Sequence, residues 1–171
     1  DDPRLNGWET GDHWRDLLRA GKMGELTMAF AEAFQNPTPE KLAPPGVVSS
    51  TWRDVVALAE RHNQPHQFTT LPGYEWTSTI SGDNLHRVVL FKEGAGYADA
   101  KAPFSSQESN DPEALWAALA EYEAITGGQV LAIPHNANVS NGRMFAPIRH
   151  SGETYDRDYA LARRRWEPLF E

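Results

Sequence analysis

The sequence predicts an α/β fold with a mainly parallel sheet or a partial barrel. Three observations carry that expectation. Amphipathic helical segments alternate with short apolar strands, the strand ends bear carboxylate or imidazole groups, and 171 residues suffice for one domain with a sizeable core.

From residue 11 to about residue 34, Trp14, Leu17, Leu18, Leu26, Phe30 and Phe34 recur at helical spacings, and Gly21 and Gly24 split the pattern into two helices. Residues 36–48, with Pro37, Pro39, Pro44, Pro45 and Gly46, read as an irregular loop. Ser50 is the expected cap of a helix over residues 51–62, whose apolar stripe is Trp52, Val55, Val56 and Ala59. Residues 67–76 and 85–91 read as two strands joined by a Ser-Gly-Asp turn, and residues 94–110 as a polar loop. Asp111 and Pro112 open a helix that Gly127 and Gly128 close near residue 126. Residues 130–133 form a short buried strand, residues 136–145 a Gly- and Asn-rich loop, and residues 156–165 a last helix. After it, residues 166–171 look like the start of a further strand. The opening at Asp1 without Met and that unfinished ending lead us to expect the central fragment of a longer protein.

Composition removes several classes of function. The formal net charge of -8 and pI of about 5.2 argue against a nucleic-acid partner. The run Arg163-Arg164-Arg165 reads as a solvated helix face. No apolar run reaches the length of a membrane span and no signal-like segment is present, so no membrane partner is expected. With no cysteine there is neither a disulfide nor a zinc–thiolate site, and any metal must be held by imidazole and oxygen ligands. The compartment, periplasm or cytoplasm, stays open.

Three strand ends carry the candidate chemistry. Glu75 lies between Tyr74 and Trp76, which alternate about it and should face the core while the carboxylate faces away. It reads as a metal ligand, an exposed edge residue or half of an ion pair. His86 opens an apolar strand and reads as a ligand or as a satisfied core residue. Its neighbours Asp83, Asn84 and Arg87 are hydrogen-bonding groups that a plain strand does not need, and Arg87 suits an oxyanion or a pairing with Glu75 or Asp83. His135 follows Pro134 at a third strand end, and Asn136, Asn138 and Asn141 after it serve turn geometry, anion binding or both. His62 and His66 have ligand spacing, but Pro65 breaks the helix between them, and His13 and His150 read as solvated.

The motifs Gly73-Tyr74-Glu75-Trp76-Thr77-Ser78, Asn84-Leu85-His86-Arg87, Ala132-Ile133-Pro134-His135-Asn136 and Trp166-Glu167-Pro168-Leu169 resemble, in order, the bacterial PHP-like proteins of domain of unknown function 3604. That family is similar to the polymerase and histidinol phosphatase (PHP) superfamily. The resemblance implies part of a distorted seven-stranded β/α barrel, two or three divalent metals (Zn, Mn or Fe) in the complete protein, and phosphoester hydrolysis. It implies that Glu75 bridges metals and that His86 and His135 each bind one. His135 sits two positions later than the histidine of the superfamily's Ala-His-Pro motif, and the superfamily's other ligand motifs have no counterpart here.

The expected function is therefore metal-dependent hydrolysis of a phosphoester or related small anionic ester by the intact protein, the fragment alone being inactive. Arg87 and Asn84 are the candidate catalytic groups, with Asn136, Asn138 and Arg87 holding the substrate anion. An incomplete barrel is expected to associate through unpaired sheet edges. The alternative is a non-catalytic anion- or glycan-binding domain, which a Glu75–Arg87 pairing would favour.

Overall fold

The computed structural model describes residues 2–35, 38, 43–44 and 46–171, with Phe34 and Gln35 described by their backbone alone. The side chain of Phe34 and most of the loop expected over residues 36–48 lie outside the described residues. The chain divides into two compact units, Asp1–Thr51 and Trp52–Glu171.

In the first unit α1 (Glu9–Arg19) and α2 (Met23–Gln35) pack on each other. Gly21, at φ 69°, makes the reversal between them, a conformation that an L side chain resists. Trp14 packs against Trp8 and Phe30 with ring centroids 5.4 and 5.0 Å away. Of the expected stripe, Leu17 is buried while Leu18 stays exposed.

Helix α3 (Val47–His62) begins ahead of the expected start at residue 51. Gly46, at φ 78°, leads the chain into it. Ser50 therefore lies inside the helix, and its hydroxyl donates to the Val47 carbonyl at 3.0 Å instead of capping a free amide.

The second unit holds a three-stranded sheet in the order β1-β4-β5, with β1 (Gly73–Trp76), β4 (Arg87–Phe91) and β5 (Val130–Pro134). A two-stranded ribbon, β2 (Thr79–Ile80) with β3 (Asp83–Asn84), extends the β1–β4 hairpin in the same register. Ser81 and Gly82, at φ 55° and 90°, form its two-residue turn, the positive pair that matches strand twist.

Every pairing is antiparallel, and the described residues contain no barrel. The expectation of a mainly parallel sheet belonging to a seven-stranded PHP-type barrel is therefore corrected to a mixed α/β fold. The reason lies in the connection between β4 and β5. Phe91 pairs with Val130, so the chain leaves and re-enters the sheet at the same end. Residues 92–111 travel outward and α4 (Pro112–Thr126) returns, whereas a parallel crossover has to deliver the chain to the opposite end. The strand expected over residues 67–76 is confined to its last four. Residues 167–171 form no strand, although the Glu171 amide donates to the Pro134 carbonyl at 3.1 Å.

Helix α4 has its expected ends: the Asp111 carboxylate accepts from the Glu113 amide at 2.9 Å, Pro112 follows the cap, and Gly127 closes the helix at φ 72°. One face of the sheet meets helices α3 and α4, and Trp52, Val56, Trp76, Val89, Phe91, Leu115, Leu119, Tyr122 and Ala132 form the core there. Tyr74 packs against the same cluster and Trp76 is fully buried, as the alternation about Glu75 predicts. Helix α5 (Arg157–Trp166) starts at Asp156, whose carboxylate accepts from the Tyr159 amide at 2.8 Å.

The core also contains an ion pair. Arg87 Nε donates to Glu167 Oε1 at 2.9 Å, and the two side chains are 2% and 1% exposed. Trp116 Nε1 donates to the same oxygen at 2.9 Å, Arg163 Nε reaches Glu167 Oε2 at 3.2 Å, and Arg87 also donates to the Leu85 carbonyl. Hydrogen bonds on both sides are what make such a buried pair tolerable.

Replacing Glu167 by Ala leaves the Arg87 charge buried without its partner, and the expected loss is about 3–5 kcal/mol of unfolding free energy, read by urea denaturation. A loss below about 1 kcal/mol would show the pair to be dispensable. A second expectation concerns Gly128, where an added Cβ would stand 2.5 Å from Tyr122 Oη. Gly128→Ala should cost roughly 1–3 kcal/mol through overpacking. Adding Tyr122→Phe, which removes that oxygen, should recover most of the loss in the same measurement.

Candidate metal centre

Antiparallel register brings the candidate residues together. Side chains alternate along each strand, and directly paired residues share a face. Glu75 pairs with Val88 and Val88 with Ile133, which places Glu75 on the sheet face opposite Trp76, Arg87 and Pro134. His86 precedes Arg87 and His135 follows Pro134, so both imidazoles fall on the Glu75 face. The His135 amide continues the ladder by donating to the His86 carbonyl at 3.3 Å.

The resulting cluster is tight. One ligand-capable atom from each of Glu75, His86 and His135 lies within 4.8 Å of the others. His86 Nδ1 is 2.7 Å from Glu75 Oε1, and His135 Nε2 is 3.4 Å from the same oxygen. The two imidazole rings meet edge-on with centroids 5.9 Å apart. The histidines are 17% and 12% exposed at the side chain, against 47% for the carboxylate, so the imidazoles form the floor and Glu75 the open rim.

The donor set fits a divalent cation. His135 Nε2 is buried with no hydrogen-bond partner, an arrangement that costs about 1–3 kcal/mol in a protein interior and that a coordinated ion would relieve. Burial lowers the His86 pKa below its ordinary value, opposed by the adjacent Glu75 carboxylate. Its neutral form, the one that ligates, is thereby favoured. Two imidazole nitrogens and a carboxylate oxygen suit Zn, Fe or Mn better than Ca or Mg.

The remaining candidate residues divide. Asn84 touches the cluster indirectly, its Oδ1 accepting from the His86 amide at 2.8 Å. Asn136, at φ 58°, turns the chain after His135 into a short 3-10 turn, and both it and Asn138 are exposed. Arg87 lies on the core face, engaged with Glu167, and not with Glu75 or Asp83. Asp83 pairs with Arg143 instead. The Glu75–Arg87 contact that would favour a metal-free anion pocket is thus not formed.

Two participants escaped the sequence reading. Thr79 Oγ1 lies 3.1 Å from His86 Nε2, and Glu167 is the partner of Arg87. Thr79 had a legible signal, since it faces Asn84 across a two-residue turn and shares the Glu75 side of the hairpin. Glu167 stood in the Trp166-Glu167-Pro168-Leu169 motif, but nothing local tied it to Arg87, 80 residues away in sequence. A cavity of about 350 Å³, lined by Ile80, Leu85, Arg87, Arg143, Arg149 and Tyr159, lies on the core side of the hairpin and not at the cluster.

Fold and site together define a mixed α/β protein with a carboxylate–bis-histidine cluster on the open face of an antiparallel sheet. The chain belongs to the family described as Protein of unknown function (DUF3604), which matches residues 1–171. No curated protein and no solved structure matches it.

Proposed function

We propose that this chain supplies a divalent-metal centre to a hydrolase acting on phosphoesters or related small anionic esters. The observation that carries the reading is the Glu75–His86–His135 cluster with its buried, unpartnered imidazole nitrogen. The likeness of the motifs around these residues to the ligand motifs of the PHP superfamily supports the same chemistry. It also supports Zn, Mn or Fe, with further ions in the intact protein.

A bound cation would lower the pKa of a coordinated water and offset charge on the ester oxygens. The chain's own residues do the rest. Glu75 contributes carboxylate charge at the rim. His86 and His135 offer neutral nitrogens from a largely water-shielded floor. Asn136 and Asn138, exposed beside His135, present uncharged amide donors suited to a substrate anion. Asn84 fixes the backbone that carries His86. With three protein ligands, a bound cation would keep a position open for water.

Metal content after incubation with excess zinc or manganese and desalting tests the proposal. About one retained equivalent per chain is expected, falling at least about tenfold in affinity for Glu75→Ala and His135→Ala, in step with phosphodiesterase activity of the intact protein. Unchanged metal content in both variants would falsify the assignment.

A further inference from the structure

We propose that the cavity on the core side of the hairpin is a binding site for a small organic anion, a carboxylate or comparable monoanion joined to an apolar body. The site lies on the sheet face opposite Glu75, His86 and His135 and needs no metal there.

The cavity has a volume of about 350 Å³, and small-molecule sites start at roughly 300 Å³. Its wall combines two kinds of surface. Ile80, Leu85, Met144 and the Tyr159 ring supply an apolar part. Arg87 from β4, Arg143 from the 3-10 turn Arg143–Phe145 and Arg149 from the loop before α5 supply three guanidinium groups. Their acidic partners do not line the cavity. Arg87 pairs with Glu167, Arg143 with Asp83, and Arg149 with Glu113 at 3.4 Å and Asp156 at 2.5 Å. Among the described residues Asp111 is the one acidic side chain on the wall, and its carboxylate is engaged in capping α4.

These pairings leave donors over. A guanidinium has five N–H bonds and no acceptor. Among the described residues Arg87 uses Nε and Nη1, Arg143 uses Nε alone, and Arg149 uses its two terminal nitrogens. Arg149 Nε is buried with no partner, a deficit that an acceptor atom of a ligand would remove. The same side chain is held in place, its Cζ 5.3 Å from the Tyr159 ring centroid, and Tyr159 stacks on Tyr155. A donor fixed before the ligand arrives loses little freedom on binding. Charge-assisted bonds from guanidinium to carboxylate are the strong ones. Because the paired acids offset part of the positive charge, the wall favours a single negative charge, and its apolar part favours an organic ion over inorganic phosphate.

The test uses the full 171-residue chain, dialysed against EDTA so that no metal competes for the anion, with benzoate as the probe and amide NMR shifts as the readout. Saturable binding at a roughly millimolar Kd is expected for a ligand of this size. Benzamide, which has the same shape without the charge, should bind at least about tenfold more weakly. Arg143→Gln and Arg149→Gln should each weaken benzoate by a similar factor. Ala146→Leu, which narrows the cavity and leaves every charge in place, should abolish binding while the amide spectrum remains that of the folded chain. Equal affinity for benzoate and benzamide, or for benzoate and inorganic phosphate, would overturn the ligand class. Benzoate binding that persists unchanged in Ala146→Leu, or no saturation in the wild type, would overturn the site itself.

Discussion

The register of the hairpin that starts at Gly73 and returns through Phe91 is the constraint on which the rest of the molecule depends. It sorts every residue of the region onto one of two faces. Trp76, Arg87 and Val89 turn to the core, and Glu75, Thr79, Asn84 and His86 turn away from it. A slip of one residue would exchange these sets, burying the Glu75 carboxylate and exposing a tryptophan that is now fully buried. An unpaired buried carboxylate and a lost aromatic anchor each cost several kcal/mol on the order-of-magnitude scale, so the alternative register is strongly disfavoured. The Ser81-Gly82 turn, with both φ values positive, pins the same alignment from the tip.

Adjacent residues serve the two faces for different purposes. His86 looks out to the cluster while Arg87 looks in to Glu167, and the main chain between them is common to both. The buried pair holds β4 to Glu167, the residue just past α5, and through Trp116 to α4. It is a poor source of net stability, because desolvation offsets much of its Coulomb gain, but it is costly to break. Its value is positional. Any movement of Arg87 along the strand carries the His86 backbone with it, and with it one of the three side chains whose ligand-capable atoms lie within 4.8 Å of one another.

What the sequence made legible follows from how local each determinant is. The alternation Tyr74-Glu75-Trp76, the cap at Asp111, Pro112 after it and the stop at Gly127 depend on neighbours a few residues away, and all appear where expected. The three strand ends that carry Glu75, His86 and His135 were also identifiable, since each couples an apolar run to a polar terminus. Strand direction was not. It is decided by how far residues 92–111 travel before α4 returns, a tertiary quantity with no local signature, and the motif resemblance pointed to a barrel that these strands do not form. The role of Arg87 was hidden in the same way. Asp83 and Glu75 are near it in sequence, yet strand alternation turns Glu75 to the other face, Asp83 is taken by Arg143, and the partner comes from the far end of the chain.

Two readings of the cluster, a structural polar network and a cation site, differ in what they require of His135. A self-sufficient network should close its hydrogen bonds, since an open one in low dielectric is worse than an apolar replacement. Glu75 Oε1 already receives His86 at 2.7 Å, and His135 Nε2, at 3.4 Å, is left without a bond. Nor does Glu75 behave as a core residue, with nearly half of its side chain open to solvent. A cation would resolve both features. Bound there, it would take up the His135 lone pair and engage the Glu75 carboxylate.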